Sequence, residues 1–169
     1  MTILTTSRLR LRPATKADLA AFHVALSDPR AMRYWSTLPH ESLAVSREWL
    51  TRMRHGTHPD FAIEHRGQVI GKAGAYGLPE VGFLLHPSAW GRGFATEAMA
   101  AVIAHVFAST DTDHLTADVD PRNTASRRVL EKLGFHISHS ATRTFLLGDE
   151  WCDSVYYRLD RNERLRAAP

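Results

Sequence analysis

At 169 residues, with 44% apolar and 23% charged side chains and a formal charge of +3, the chain fits a soluble globular protein of one domain. No apolar run reaches the length of a membrane span, the first eight residues lack a secretory pattern, and the single cysteine, Cys152, excludes an internal disulfide. These features predict a cytoplasmic protein without a membrane partner.

Leu9, Leu11 and Pro13 alternate with arginines, which predicts a first strand with a wet arginine side that stops at the proline. Thr15-Lys16-Ala17-Asp18 reads as a helix start, with Leu19, Phe22 and Leu26 on one face and Asp28-Pro29 as its end. After a loop through Tyr34, Trp35 and Pro39, a second helix begins near Ser42. It carries Val45, Trp49 and Met53 on one stripe and stops at Gly56. Residues 61–64 and 69–73 form a hairpin turning at Arg66-Gly67, and residues 81–85 form the next strand.

A helix after Gly93 buries Ala95, Met99, Val102 and Val106. Leu115, Ala117 and Val119 alternate in a strand that ends at Asp120-Pro121, and Asn123 opens a short helix closed by Gly134. Residues 135–140 and 154–159 supply the last two strands. Without repeats or linkers, this order predicts one α/β domain over 1–169, with a core from about 4 to 160 and a tail at 161–169. The arginines are scattered, so no nucleic-acid partner is expected, and a polyanionic small molecule accounts for the charge. The histidines stand singly. His136 and His139, three apart in a strand pattern, are expected on opposite faces, so no metal site is expected.

The most informative stretch runs from Glu80 to Ala98. A strand leaves through Pro87, and Gly91 and Gly93 then open a long helix, a junction whose backbone N–H groups suit a pyrophosphate. A nucleotide-triphosphate loop needs Lys and Ser or Thr where Phe94 and Ala95 stand, and a dinucleotide fold wants glycine at Thr96. Both readings fail. A strand-to-helix turn that binds nothing remains the plain alternative.

With a second motif added, the chain resembles the GNAT superfamily of acetyl-CoA-dependent N-acetyltransferases. Trp90-Gly91-Arg92-Gly93-Phe94-Ala95 is similar to that superfamily's pyrophosphate loop, with Trp90 in place of the usual Arg or Gln. That departure is typical of a branch that includes the enzymes acetylating ribosomal-protein N-termini. Asn123, Ser126 and Glu131-Lys132-Leu133-Gly134-Phe135 match the branch's second signature, and Leu9 to Pro13 and Asp28-Pro29 with Met32 to Trp35 also look like it.

The resemblance covers about Leu4 to Leu159. It implies a mixed, mostly antiparallel sheet of about seven strands, splayed beside the loop and flanked by about four helices. Phe83, Leu84 and Leu85 would bind the pantetheine arm of acetyl-CoA through their backbone, Gly91, Arg92, Gly93, Phe94, Ala95 and Thr96 the pyrophosphate, and Asn123 the arm from the other side. No metal is implied.

The implied chemistry is direct transfer of an acetyl group to a primary amine, either a protein N-terminus or a small-molecule amine, in a ternary complex. A lysine-like amine costs about 4–5 kcal/mol to deprotonate at pH 7, an α-amino group only about 1–1.5 kcal/mol, so a modest base can serve a peptide N-terminus. Glu80 and Asp118 are the candidate bases. A backbone N–H near Leu84 or Leu85 would polarise the carbonyl. Leu130 stands where many relatives carry a Tyr acid, and Ser126, one turn away on the same helix, is the branch's substitute. Tyr34 and Trp35 lie in a region that walls the acceptor pocket in relatives. The missing tyrosine keeps open an alternative, a catalytically silent acetyl-CoA-binding regulatory module. Nothing in the sequence sets the oligomeric state.

Overall fold

The computed structural model describes residues 2–162, so the predicted tail lies, from residue 163 on, outside the described residues. Strand β1 (Leu4–Thr5) pairs with β2 (Arg10–Arg12), and Leu9 and Leu11 go to the core as their alternation demands. The arginine side is not simply wet. Arg12 is held between Asp18 (2.8 Å) and Glu64 (2.8 Å), and Asp18 also accepts the Thr15 N–H that starts the first helix.

Helix α1 (Leu19–Leu26) buries Phe22, Ala25 and Leu26. Asp28-Pro29 ends it and at once starts another, α2 (Pro29–Met32), whose first turn Asp28 caps by accepting the Arg30 N–H. Pro is well suited to that first position because its missing N–H is an orphan there anyway. Helix α3 (Leu43–His55) starts at Ser42 and ends at Gly56 as read. Its buried stripe holds Ser46 and Leu50, with Trp49 and Met53 beside them, whereas Val45 is exposed.

Strands β3 (Asp60–His65), β4 (Gln68–Gly77) and β5 (Glu80–Leu85) follow as an antiparallel meander. Helix α4 (Phe94–Ser109) crosses one face, leading to β6 (His114–Val119), α5 (Thr124–Lys132) and the hairpin β7 (His136–Leu147) and β8 (Glu150–Asp160). Among the described residues the eight strands form one sheet in the order β1-β2-β3-β4-β5-β6-β8-β7. This is the expected mixed, mostly antiparallel GNAT-like sheet. The additions to the predicted count are short elements such as β1 and α2, which show no period.

The two last strands are much longer than read. Residues 141–153 mix polar and apolar side chains without sustained alternation and are interrupted by Gly148, so the period does not reveal them. A bulge between Ile137 and His139 also corrects the histidine reading. His136 and His139 pair with Arg158 and Tyr156, which are two apart on β8 and share a face, so the histidines share one too. No group of three or more His, Cys, Asp or Glu among the described residues is placed to hold a metal.

Two cores sandwich the sheet. On one face Met99, Val102, Ile103 and Val106 of α4 meet Leu11, Ile63, Ala73, Val81 and Leu115. On the other, Phe22, Leu26, Met32 and Leu50 of α1 to α3 meet Ala62 and Leu84. Each fully buried Val, Leu, Ile, Phe or Met among them contributes roughly 1.5–3 kcal/mol. No helix of the described residues is long and apolar enough to cross a membrane.

Candidate active site

One defect in the sheet creates the site. Among the described residues, strands β5 and β6 are its only parallel neighbours, and they pair at a single position, Glu80 with Thr116, before diverging. A cavity of about 260 Å³ passes through the gap. Because side chains alternate across a strand, the cleft has two chemically different sides. Glu80 and Asp118 lie on the α1–α3 face with Tyr34, Trp35 and Tyr76, whereas Asn123, Ser126 and Leu130 of the α5 segment line it from the other face.

The two predicted bases therefore meet in one cleft. Both open into it, yet enough protein surrounds them to perturb their ionisation. Lost hydration lifts the Glu80 carboxyl above the ordinary range, and the charge of Asp118 adds to the lift. Burial also lifts Asp118, against a hydrogen bond from Ser154; Asp120 raises it further and His139 lowers it. Among the described residues no Lys or Arg lines the cleft, and because Asp120 is paired with Arg122 (2.6 Å), two carboxylates, Glu80 and Asp118, set its charge. Such a wall favours a cationic ligand.

On the β5 edge, the N–H of His86 bonds Ile70 of β4, so by alternation those of Leu84 and Gly82 also face β4. The backbone groups of Phe83 and Leu85 face the gap. The Leu84 side chain is packed in the second core. Of the residues expected to present backbone to a ligand, Phe83 and Leu85 are thus turned the right way and Leu84 is not. The Leu85 carbonyl already accepts the Trp90 indole N–H (3.0 Å), which straps the following loop to the strand.

That loop has the features an anion site requires. Gly91 (φ +71°) and Gly93 (φ +77°) are both left-handed, and Gly93 caps α4. Among the described residues, no hydrogen bond takes the N–H groups of Gly91, Arg92 or Gly93. Across the cleft, Asn123 caps α5 by accepting the Ser126 N–H (3.1 Å), leaving its amide NH₂ free to donate. Ser126 is half-buried on the cleft wall, and Leu130, beneath it, is buried.

Residues 8–136 match the acetyltransferase (GNAT) domain family. The chain belongs to the GNAT family. It is 32% identical over 151 residues to the uncharacterised protein YkkB of Bacillus subtilis (strain 168), spanning 81% of this chain and 87% of that one. Its fold is similar to that of RimL, a ribosomal L7/L12 alpha-N-protein acetyltransferase solved in complex with coenzyme A. There the TM-score is 0.84 at 18% identity, covering 96% of this chain and 99% of that one. It is also similar to the spermidine N-acetyltransferase of Vibrio cholerae, solved with CoA and spermine, with a TM-score of 0.80 at 21% identity over 95% and 99% of the two chains.

Within this GNAT cleft, several lining residues escape sequence reasoning. Tyr76 sits on the polar-looking face of β4, where Lys72 and Gly74 precede it and give no sign of a site. Phe145 lies on the unrecognised part of β7. Arg122 pairs with Asp120 (2.6 Å) and Glu150 (2.5 Å) and lies 5.9 Å from the Tyr34 ring, tying the β7–β8 hairpin to the cleft mouth. Glu97 and Glu131 take no part in the cleft. Glu97 is bound by Arg8, and Glu131 accepts the Tyr157 hydroxyl (2.9 Å).

Proposed function

We propose that the chain transfers an acetyl group from acetyl-CoA to a primary amine by direct attack in a ternary complex. The observation that carries this reading is the two-sided cleft at the β5–β6 gap. Donors suited to the cofactor lie on one side, and carboxylates suited to an ammonium lie on the other. Acetyl-CoA supplies an activated acetyl thioester. The loop N–H groups and Asn123 hold it, while the N–H of Phe83 or Leu85 polarises the thioester oxygen.

The acceptor enters as an ammonium past Tyr34, Trp35 and Tyr76. Glu80, its pKa raised by burial and by Asp118, takes the proton. The amine nitrogen then bonds to the acetyl carbon and the carbon–sulfur bond breaks; Ser126 hydrogen-bonds the departing thiolate, and the second proton of the amine nitrogen passes to that sulfur, leaving a neutral amide and the free thiol. A thiol of pKa about 8.5 is a good leaving group, so a serine suffices where Leu130 offers no proton. The acidic, aromatic acceptor side fits a cationic amine, either a protein N-terminus or a small polyamine, the acceptor types of the two neighbours named above. One domain with a core over about 4 to 160 carries the reaction, in a cytoplasm that supplies acetyl-CoA.

The test is free-thiol release from acetyl-CoA against N-terminal peptides and small amines. Turnover with one class assigns the acceptor. CoA binding with no turnover on any amine would replace this reading with a silent binding module.

A further inference from the structure

The segment Thr6-Ser7-Arg8, between β1 and β2, reaches across to the first turn of α4. Glu97 there is gripped from one side. Its Oε1 accepts from the Thr6 hydroxyl (2.6 Å), the Ser7 hydroxyl (3.1 Å) and the Arg8 N–H (2.9 Å). Its Oε2 accepts from Arg8 Nε (2.7 Å) and Nη2 (2.6 Å). The same guanidinium has a second hold, because Nη1 donates to the carbonyl of Arg92 (2.9 Å). It also lies 4.7 Å from the Phe94 ring centre, as the Arg92 guanidinium does at 4.6 Å. One exposed arginine thus touches the loop at Arg92, Phe94 and Glu97.

Two physical consequences follow. In a trans peptide the C=O and N–H point in opposite directions. Drawing the Arg92 carbonyl toward Arg8 therefore turns the Gly93 N–H away from Arg8, to the side where no protein acceptor takes it. Second, a bare carboxylate in the first turn of α4 would repel an anion bound at that helix end. These contacts hold Glu97 ionised, down to a pKa of about 2, so its charge needs neutralising at any working pH, and Arg8 does so. Glycine is needed at 93 for its left-handed φ of +77° rather than for space, since a Cβ there would sit 3.4 Å from Arg8 Nη2, an ordinary contact.

Resting on the acetyl-transfer reading above, we infer that Arg8 is a positioning residue for the cofactor's pyrophosphate: it aims the Gly93 N–H and masks Glu97. It acts through the loop, without contact to the reacting atoms. Its influence is therefore confined to thioesters that carry a pyrophosphate.

That restriction gives the test. Arg8→Ala, Glu97→Gln and the double variant are assayed with acetyl-CoA and with S-acetylpantetheine, which has the same thioester arm and no pyrophosphate. Arg8→Ala is expected to lower kcat/KM for acetyl-CoA about tenfold, through KM, and to leave S-acetylpantetheine within about twofold of wild type. Adding Glu97→Gln restores part of the loss by removing the unmasked charge. Arg161→Ala is a control for general loosening of α4, because Arg161 holds the carbonyls of Thr110 and Thr112 at the far end of that helix; it should change the two thioesters alike. Equal losses on both thioesters in Arg8→Ala, or no loss on acetyl-CoA, overturn the inference. Calorimetric titration with CoA separates the two levels. A wild type that binds CoA without turnover sinks the acetyl-transfer reading, and Arg8→Ala must still bind CoA about tenfold more weakly. A wild type that binds no CoA sinks both.

Discussion

The ammonium of Lys72 lies 3.9 Å from the centre of the Tyr76 ring. Lys72 is wholly buried, and its nitrogen also donates to Asp60 Oδ2 at 2.7 Å. Gly74 and Gly82 face each other across β4 and β5, Gly74 against the backbone of Pro59 and Asp60 and Gly82 as a bare floor against the Tyr76 ring. A Cβ on Gly74 would sit 2.6 Å from Asp60 Oδ1, and one on Gly82 would sit 2.8 Å from Tyr76 Cε2. Tyr76 is the wall between the cleft proposed for acetyl transfer and a second cavity of about 170 Å³ lined by Trp49, Arg52 and Lys72. A buried ion pair thus supports a ring that shapes the proposed acceptor side.

Burial works against both charges, lowering the Lys72 pKa and raising that of Asp60, and each offsets the other's cost. Asp60→Ala is expected to destabilise the fold by about 3–5 kcal/mol, because it strands a buried ammonium. Replacing the pair together, Asp60→Leu with Lys72→Met, should recover most of that loss. Urea unfolding of the three proteins checks it; equal losses in the single and double variants would show that packing, not charge, carries the effect.

Gly82→Ala tests the wall itself. The added methyl must push the half-exposed Tyr76 ring toward the cleft, which has room to receive it. The acceptor KM should rise severalfold while the Kd for CoA stays unchanged, since the groups proposed to hold the cofactor lie on the other side. A matched loss in CoA binding would mean that β5 itself had moved.

How much of this was legible follows from length and period. The loop from Trp90 to Thr96 and the Asn123 cap are local in sequence, so their residue types announce them. Glu80 and Asp118 could be named as bases, but their meeting depends on a single parallel pair between distant strands. Leu84 shows the limit of a one-residue reading. Its place in β5 was legible, but the direction of its N–H is set by register with β4. Arg8 looked like one of several wet arginines, because its partner Glu97 is 89 residues away. Tyr76 fell on a face where Lys72 and Gly74 precede it, and Phe145 stands in the run Phe145-Leu146-Leu147, which does not alternate, so neither carries a sign of a cleft.

The two candidate bases can be told apart by pH. Glu80 is raised partly by the charge of Asp118, so Asp118→Asn should let Glu80 ionise more easily and move the acid limb of kcat/KM to lower pH. Glu80→Gln should abolish that limb and cost roughly 10²–10³ in kcat/KM. If Asp118→Asn abolishes the limb and Glu80→Gln only shifts it, the roles are reversed.

Ser46, wholly buried on α3, holds two imidazoles at once, His23 Nδ1 at 2.8 Å and His40 Nδ1 at 2.9 Å. Burial lowers the pKa of His40 below its usual 6.5, and the nearby charges of His23 and Arg52 lower it further. The sign of the consequence is fixed. Below pH 6.5 the unfolded chain binds a proton on His40 that the folded chain resists, and stability rises with pH wherever the unfolded state binds more protons. The fold should therefore hold its full stability above pH 6.5 and lose it progressively as the pH falls toward the depressed folded value. His40→Gln removes the titrating group, so its unfolding free energy should depend less on pH across that window, even though it is lower at neutral pH. Urea unfolding of both proteins from pH 8 downward measures the two slopes; identical slopes would place the acid sensitivity elsewhere, with Glu97 as the next group to test.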